Sequence, residues 1–341
     1  MTNTMANTKF YDPTTAAYFN PKVDRRNVII TGGNSGIGWY TILHLYLHGY
    51  NIFILGRNEK KINQAIEEIK VEADKRIEKY TEEEKKSRYL GSFNYIYLDL
   101  LDLLTVSKAA EEYASREDKL HILINNAGLL GAPFEITKDG YEILYQVNFV
   151  SHFLLTLKLI PQLENVAKEG KVEPRIVNVA SLGHNFAYKY FHPSNKLDCF
   201  PNMIYNWVRY GNAKGAEIQF SNELARRYKN ILSISLHPGI IMNTDLYRYS
   251  KNAPITGFFT KKASNVVDAC VGVDNEQGAT ATLRAALDDL TIKDYSGKYL
   301  TTGGHEGKTT KIVSNIDNCK TTWSWNLENL NKKGFNLQGY E

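Results

Sequence analysis

The run Asn27 to Thr31 is short, apolar and β-branched, and it passes directly into Thr31-Gly32-Gly33-Asn34-Ser35-Gly36-Ile37-Gly38 and then into a helical pattern reaching His48. A strand, a glycine-rich turn and a helix in immediate succession leave few folds open. Glycines at 32, 36 and 38 permit a tight turn, a close approach of backbone to pyrophosphate, and close packing of helix on strand. The first N–H groups of the helix have no partner inside it and attract an anion. The turn therefore reads as a dinucleotide site lined by Gly32, Asn34, Ser35, Gly36, Ile37 and Gly38. A glycine-rich loop without a ligand is the competing reading, disfavoured by the strand before it and the helix after it.

The same rhythm continues along the chain. Runs suited to strands are Asn27 to Thr31, Asn51 to Leu55, Phe93 to Leu98, Ile122 to Asn125, Arg175 to Val179, Ile231 to His237 and Lys298 to Thr301. Between them lie helical patterns at Gly38 to His48, Glu59 to Lys85, Leu104 to Ser115, Tyr141 to Leu163, Trp207 to Tyr228 and Asn275 to Asp288. The expected fold is α/β, a Rossmann-type doubly wound parallel sheet of about seven strands flanked by helices in a single domain. Residues 25–304 would form that domain, residues 1–24 a polar arm over its surface, and residues 305–341 a tail packed on the body through Trp323 and Trp325. The charge-dense stretch Glu67 to Arg88 reads as a solvated extension of the second helix.

Composition excludes several function classes. Forty-one Lys and Arg are dispersed among 37 Asp and Glu, so no basic block suggests nucleic acid. Cys199, Cys270 and Cys319 are far apart and lack metal or redox spacing, which fits a reducing compartment, and no histidines are spaced to hold a metal. Residues Met1 to Asn20 carry no apolar signal core, and the longest apolar stretch, Trp39 to Leu55, is interrupted by His44, His48 and Gly49. A cytoplasmic protein is expected.

The end of the second strand reads Leu55-Gly56-Arg57-Asn58, without the carboxylate that binds the ribose hydroxyls of NAD. A guanidinium there suits a 2′-phosphate, so NADP(H) is the expected cofactor, with NAD(H) the alternative. Arg57 as an ordinary exposed residue at a helix start stays open.

Tyr210 and Lys214 are spaced to share one helix face, where an ammonium can bias a phenol toward acid/base chemistry near neutral pH. Tyr247 and Lys251 have the same spacing, and with 22 tyrosines in the chain spacing alone does not choose between the pairs.

Further segments are Asp99-Leu100, Asn125-Asn126-Ala127-Gly128, Gln146-Val147-Asn148-Phe149, Val177-Asn178-Val179-Ala180-Ser181 and His237-Pro238-Gly239. In this order, with the glycine turn, they resemble the short-chain dehydrogenase/reductase superfamily from Asn27 to Gly304. The resemblance implies that the catalytic tyrosine follows the serine strand and precedes the Pro-Gly strand end, which selects Tyr210 and excludes Tyr247. It implies that Ser181 polarises the substrate oxygen, that Tyr210 moves the proton, that Lys214 holds the nicotinamide ribose, and that Asn148 anchors a water joined to Lys214. Asp99, Leu100, Asn126, Ala127, Gly128, Pro238, Gly239, Ile241 and either Asn243 or Thr244 would complete the cofactor site. Taken singly, Ser181 could cap a turn, Asn148 could satisfy backbone groups at a helix kink, and Lys214 could be a surface lysine.

Ser181 and Tyr210 are 29 residues apart, more than in the simplest members. The intervening loop, residues 182–209, holds Phe186, Tyr188, Tyr190, Phe191, Phe200, Tyr205 and Trp207, and a second loop, residues 240–273, holds Phe258 and Phe259. Aromatic loops on the nicotinamide side imply a lipophilic aldehyde, ketone or alcohol, similar to retinol-dehydrogenase-like members. Segments such as Tyr299-Leu300-Thr301-Thr302-Gly303-Gly304 resemble a fungal oxidoreductase subgroup associated with lipid droplets. Thr256 to Asn265 is too polar to insert in a membrane, so peripheral lipid contact through Phe258, Phe259, Lys261 and Lys262 is what this implies. Family analogy implies a homodimer or homotetramer. A nucleotide-binding or lipid-droplet scaffold module without turnover is the alternative, although its signature, loss of Tyr210 or Lys214, is absent; an extended-type sugar epimerase would need a differently spaced turn.

Overall fold

The structure, a computed structural model, describes residues 9–187, 203–241, 273–289 and 291–341. Seven strands, β1 (Asn27–Thr31), β2 (Asn51–Gly56), β3 (Ser92–Tyr97), β4 (Ile122–Asn125), β5 (Arg175–Val179), β6 (Leu232–Leu236) and β7 (Tyr299–Leu300), form one sheet in the order β3-β2-β1-β4-β5-β6-β7. Every pairing is parallel. Strands β1, β4, β5 and β6 are buried throughout, with apolar centres such as Val28-Ile29-Ile30 and Ile122-Leu123-Ile124, and β6 buries its serines Ser233 and Ser235 along with Leu232, Ile234 and Leu236.

The helices are α1 (Gly36–Leu47), α2 (Glu59–Ile77), α3 (Glu82–Ser87), α4 (Leu103–Arg116), α5 (Ile143–Tyr145), α6 (Ser151–Glu169), α7 (Met203–Arg227), α8 (Asn275–Leu287), α9 (Lys311–Ser314) and α10 (Ile316–Lys332). One face of the sheet is covered by α1, α2 and α8, whose Ile42, Ile66 and Leu283 pack on Val28, Ile54 and Ile234. The other is covered by α4, α6 and α7, with Val106, Phe153 and Phe220 against Ile29 and Leu123. That is the doubly wound arrangement, and it places the strand C-termini and the α1 N-terminus at a common edge.

Two local differences from the sequence expectation have physical causes. The helix expected over Glu59 to Lys85 stops at Ile77, and α3 restarts behind a capping box: Thr81 Oγ1 accepts from Glu84 N at 3.2 Å, and Glu84 Oε2 accepts from Thr81 N at 2.8 Å. Between α5 and α6 the chain makes a π-helical turn, Gln146–Val150, which carries Asn148. The tail is part of the core: Trp323 of α10 is buried against Phe153 and Phe220 at ring distances of 5.4 and 5.7 Å.

The continuous segment Ile143–Glu169 is long and apolar enough to cross a membrane by length and composition, but 94% of its apolar window is buried inside the protein, between α4 and α7. The arm is tied to the body where Phe19 N donates to His48 O at 3.0 Å and Tyr18 stacks on His48. Cys319 is buried. Asn243, Thr244, Phe258, Phe259, Cys199, Cys270 and the loop aromatics Tyr188, Tyr190, Phe191 and Phe200 lie outside the described residues.

Candidate active site

The glycine turn is shaped as its composition demands. Gly32 and Gly36 have φ of +68° and +57°, and a Cβ on Gly38 would lie 2.3 Å from Gly32 O. Ser35 is the N-cap of α1, yet its hydroxyl makes no capping hydrogen bond, so the first N–H groups of a 12-residue helix are left without a side-chain cap. Asn126 locks the turn from the β4 side: its Nδ2 donates to Thr31 O at 2.9 Å and Gly32 O at 3.1 Å. Thr31 Oγ1 accepts from the backbone N–H of Asn126 and Ala127, both at 3.0 Å. These residues fit a pyrophosphate, with an open backbone surface and uncapped N–H groups where its charge would fall.

Arg57 and Asp99 follow the ends of β2 and β3. Arg57 Nη1 is 3.7 Å from Asp99 Oδ1, and the Arg57 side chain is largely exposed. Asp99 Oδ1 also accepts from Leu101 N at 3.0 Å, which fixes its orientation. Leu100 is buried, and its carbonyl accepts from Ser151 Oγ at 2.7 Å. On the far side, Pro238 and Gly239 follow β6, and Ile241 meets Ile37 over α8, where a Cβ on Gly278 would lie 2.2 Å from Ile241 Cδ1 and 3.5 Å from Ile37 Cγ1.

The catalytic candidates converge from three elements. Ser181 ends the chain segment after β5 and Tyr210 and Lys214 lie on α7, both deeply buried. The Ser181 side chain lies beside the Tyr210 phenol and draws it down, and its Oγ accepts from Gly183 N at 3.0 Å, so it caps the following turn. A Cβ on Gly183 would sit 2.6 Å from the Tyr210 ring, and one on Gly211 would sit 2.7 Å from Gly183 O. This glycine seam lets α7 close on the serine turn.

Lys214 is no surface residue. Its Nζ donates to Val179 O at 2.8 Å and to both carboxylate oxygens of Glu217 at 3.0 and 3.2 Å, and it lies 5.7 Å from the Tyr210 ring centre. Burial pushes the Tyr210 phenol above its ordinary value; Ser181 lowers it and the Glu217 charge raises it further. Burial is the larger of the two upward effects on the phenol, and Glu217, which pairs with Lys214, adds to it.

Asn148 sits on the π-helical turn. Its Oδ1 accepts from Leu129 N at 2.8 Å and its Nδ2 donates to Leu129 O at 2.9 Å and Leu144 O at 2.8 Å. It thereby holds the segment after β4 to the helix kink, and its side chain is satisfied by backbone. Its own carbonyl lies 2.9 Å from His152 Nδ1, while His152 Nε2 lies 2.9 Å from Thr31 Oγ1. Burial holds His152 down at about 4, so it is neutral; because Thr31 Oγ1 already accepts two N–H groups, its proton goes to Nε2, and Nδ1–H donates to Asn148. His152 thus couples the glycine turn to the Asn148 kink. Sequence reasoning missed His152, Gly183 and Glu217; the last was detectable as a carboxylate one helical turn beyond Lys214.

At the mouth, Phe186 and Trp207 are 54% and 45% exposed with rings 5.5 Å apart, and Trp207 stands edge-on to Tyr210 at 6.4 Å. Leu182 and Tyr205 are exposed nearby in the chain. Among the described residues no cluster of His, Cys, Asp and Glu could hold a metal.

Residues 26–192 match the family model described as short chain dehydrogenase. The chain is 36% identical over 295 residues to an uncharacterized oxidoreductase of Schizosaccharomyces pombe, covering 84% of this chain and 80% of the relative. It is 30% identical over 311 residues to retinol dehydrogenase 12 of Mus musculus, covering 90% and 86%. The fold is similar to that of a 3-ketoacyl-(acyl-carrier-protein) reductase from Brucella melitensis complexed with NADH, at a TM-score of 0.58 and 21% identity over 83% of this chain and 98% of that one. The chain belongs to the short-chain dehydrogenase/reductase family, is retinol-dehydrogenase-like within it, and is an NAD(P)-dependent oxidoreductase.

Proposed function

We propose that this protein is an NADP(H)-dependent oxidoreductase that interconverts a lipophilic carbonyl and its alcohol, with Tyr210 as general acid/base. The observation that carries this reading is the placement of Tyr210, buried beside Ser181, directly behind the exposed aromatic pair Phe186 and Trp207. The glycine turn, Asn126 and Lys214 would hold the dinucleotide, and Arg57 would meet a 2′-phosphate. When bound, the nicotinamide supplies or accepts the hydride.

The chain's own residues manage the oxygen and the proton. In reduction the carbonyl π electrons move onto oxygen, Ser181 donates a hydrogen bond to it, and Tyr210 transfers its phenolic proton to it, leaving a phenolate. In oxidation the same phenolate takes the alcohol proton. Phe186 and Trp207 offer an apolar wall that a polar substrate would leave poorly solvated. The relative named as a retinol dehydrogenase supports a lipophilic substrate class.

Purified protein mixed with NADPH and a panel of aldehydes and ketones of graded lipophilicity, followed by NADPH absorbance, tests this. Turnover should favour the lipophilic members, and Tyr210→Phe should reduce it by at least about a hundredfold. Intact turnover in Tyr210→Phe sinks the assignment of Tyr210; turnover confined to polar sugars sinks the substrate class. We also propose a dimer or tetramer in solution, which a sedimentation mass equal to one chain would refute.

A further inference from the structure

Glu217 and Lys214 form a closed pair inside the fold. Their side chains are 5% and 3% exposed, and the ammonium bonds both carboxylate oxygens. Among the described residues Glu217 is the one carboxylate in ion-pair contact with Lys214. A lone ammonium 5.7 Å from the Tyr210 ring would favour the phenolate, but a buried anion at hydrogen-bond distance cancels most of that field.

The titratable groups that neighbouring elements bring to this pocket are uncharged. They are Tyr299 on β7, His184 in the turn after β5, His237 after β6, and His152 on α6. His184 stands edge-on to Tyr299 at 5.0 Å, and burial lowers all three imidazoles. From the C-terminal helices the nearest packing is neutral as well: Val313 of α9 lies beside Gly215, and Thr322 of α10 donates to Gln219 at 2.6 Å. Tyr299 Oη, His184 Nε2 and His237 Nδ1 are buried without a hydrogen-bond partner among the described residues. Among the described residues, charge in the pocket is therefore decided by Lys214 and Glu217.

We propose that Glu217 sets the working pH of this site: as the buried counter-ion of Lys214 it holds Tyr210 in the phenol form, the proton donor that carbonyl reduction requires. The inference rests on Tyr210 being the acid/base of the proposed reaction. Burial pushes Glu217 up to about 7, against the pull of Lys214. Above that pH the carboxylate is ionised and adds to burial in keeping Tyr210 protonated. The phenolate that alcohol oxidation needs then forms only at alkaline pH, and the reductive state spans the neutral range.

The test is a titration of ultraviolet tyrosinate absorbance, taken as the difference between wild type and Tyr210→Phe, and again between Glu217→Gln and Glu217→Gln/Tyr210→Phe. The difference isolates Tyr210 without turnover. Glu217→Gln should lower the Tyr210 midpoint by about one pH unit or more, tenfold in the ionisation constant. Glu217→Asp keeps the charge and should stay within about half a unit of wild type. The alkaline limb of alcohol oxidation should move down with the same variant.

An unmoved or raised midpoint in folded Glu217→Gln overturns the inference. Infrared difference spectra of wild type give a second arm if that variant does not fold: a carboxyl band assigned to Glu217 that stays protonated to about pH 9 also overturns it. A carbonyl panel without turnover defeats the functional reading, whereas an unmoved midpoint in active enzyme defeats only this inference.

Discussion

At the scale of single residues, the site depends on close approaches that leave no room for substitution. Gly183 is the clearest, since the Tyr210 ring occupies the space a methyl group would need, at 2.6 Å. Gly183→Ala should displace the ring from Ser181, and displacement of about 1 Å costs about a hundredfold in rate. Cofactor affinity, read by quenching of tryptophan fluorescence, should change little because the glycine turn is untouched; equal losses in both would place Gly183 in the general fold instead. Arg57 is the opposite case, held loosely. Its 3.7 Å pair with Asp99 is exposed and worth about 0 to 1 kcal/mol, so it yields readily to a better partner. Arg57→Leu should raise the KM for NADPH about tenfold or more, as loss of a charge-assisted contact of about 1.5 to 3 kcal/mol implies, and leave the KM for NADH nearly unchanged. Equal effects on the two cofactors would remove Arg57 from 2′-phosphate recognition.

At the scale of elements, the strands were legible because parallel strands buried on both faces are built around apolar, β-branched residues, as in Val28-Ile29-Ile30 and Ile176-Val177. Helix boundaries were less so. The break between α2 and α3 hangs on the single capping box at Thr81 and Glu84, which an uninterrupted charge pattern conceals. Ser181, Tyr210, Lys214 and Asn148 were readable from their order along the chain; His152 and Gly183 act through partners on other elements or through exclusion of a methyl group, which no local pattern records, whereas Glu217 pairs with Lys214 on its own helix at a spacing the sequence displays. The tail shows the same limit. Two tryptophans suggested packing, but only the fold shows Trp323 buried between α6 and α7, with its Nε1–H donating to Tyr340 O at 2.8 Å. Trp323→Ala should cost about 3 to 5 kcal/mol of stability by chemical denaturation, the range for deleting a buried aromatic. A cost below about 1 kcal/mol would mean that α10 is an appendage.

At the scale of the whole molecule, buried imidazoles set the response to acid. His48, His121, His152 and His237 are each held down at about 4, principally by burial, against an ordinary value near 6.5. Between those limits the unfolded chain binds more protons than the fold, so stability rises with pH through that window and is lost as pH falls through it. Two carboxyls act oppositely: burial raises Glu217 to about 7 and raises Glu142 despite its Arg209 partner, so here the fold binds the extra proton. Near pH 5.5 the four histidines outweigh the two carboxyls by about two protons, a slope of about 2.7 kcal/mol per pH unit. Thermal melts should therefore show Tm falling steadily from about pH 6.5 toward 4, with little change just above neutrality. Further acidification protonates Glu276, held at about 2 chiefly by its hydrogen bond to His44, and weakens the clamp that joins α1, α2 and α8 through Arg76. His152→Gln keeps a side chain able to bond Thr31 or Asn148 but cannot titrate, so it should flatten the slope by about 1.4 kcal/mol per pH unit. An unchanged slope in that variant would show that His152 takes up no proton on unfolding, and the burial argument for it would fail.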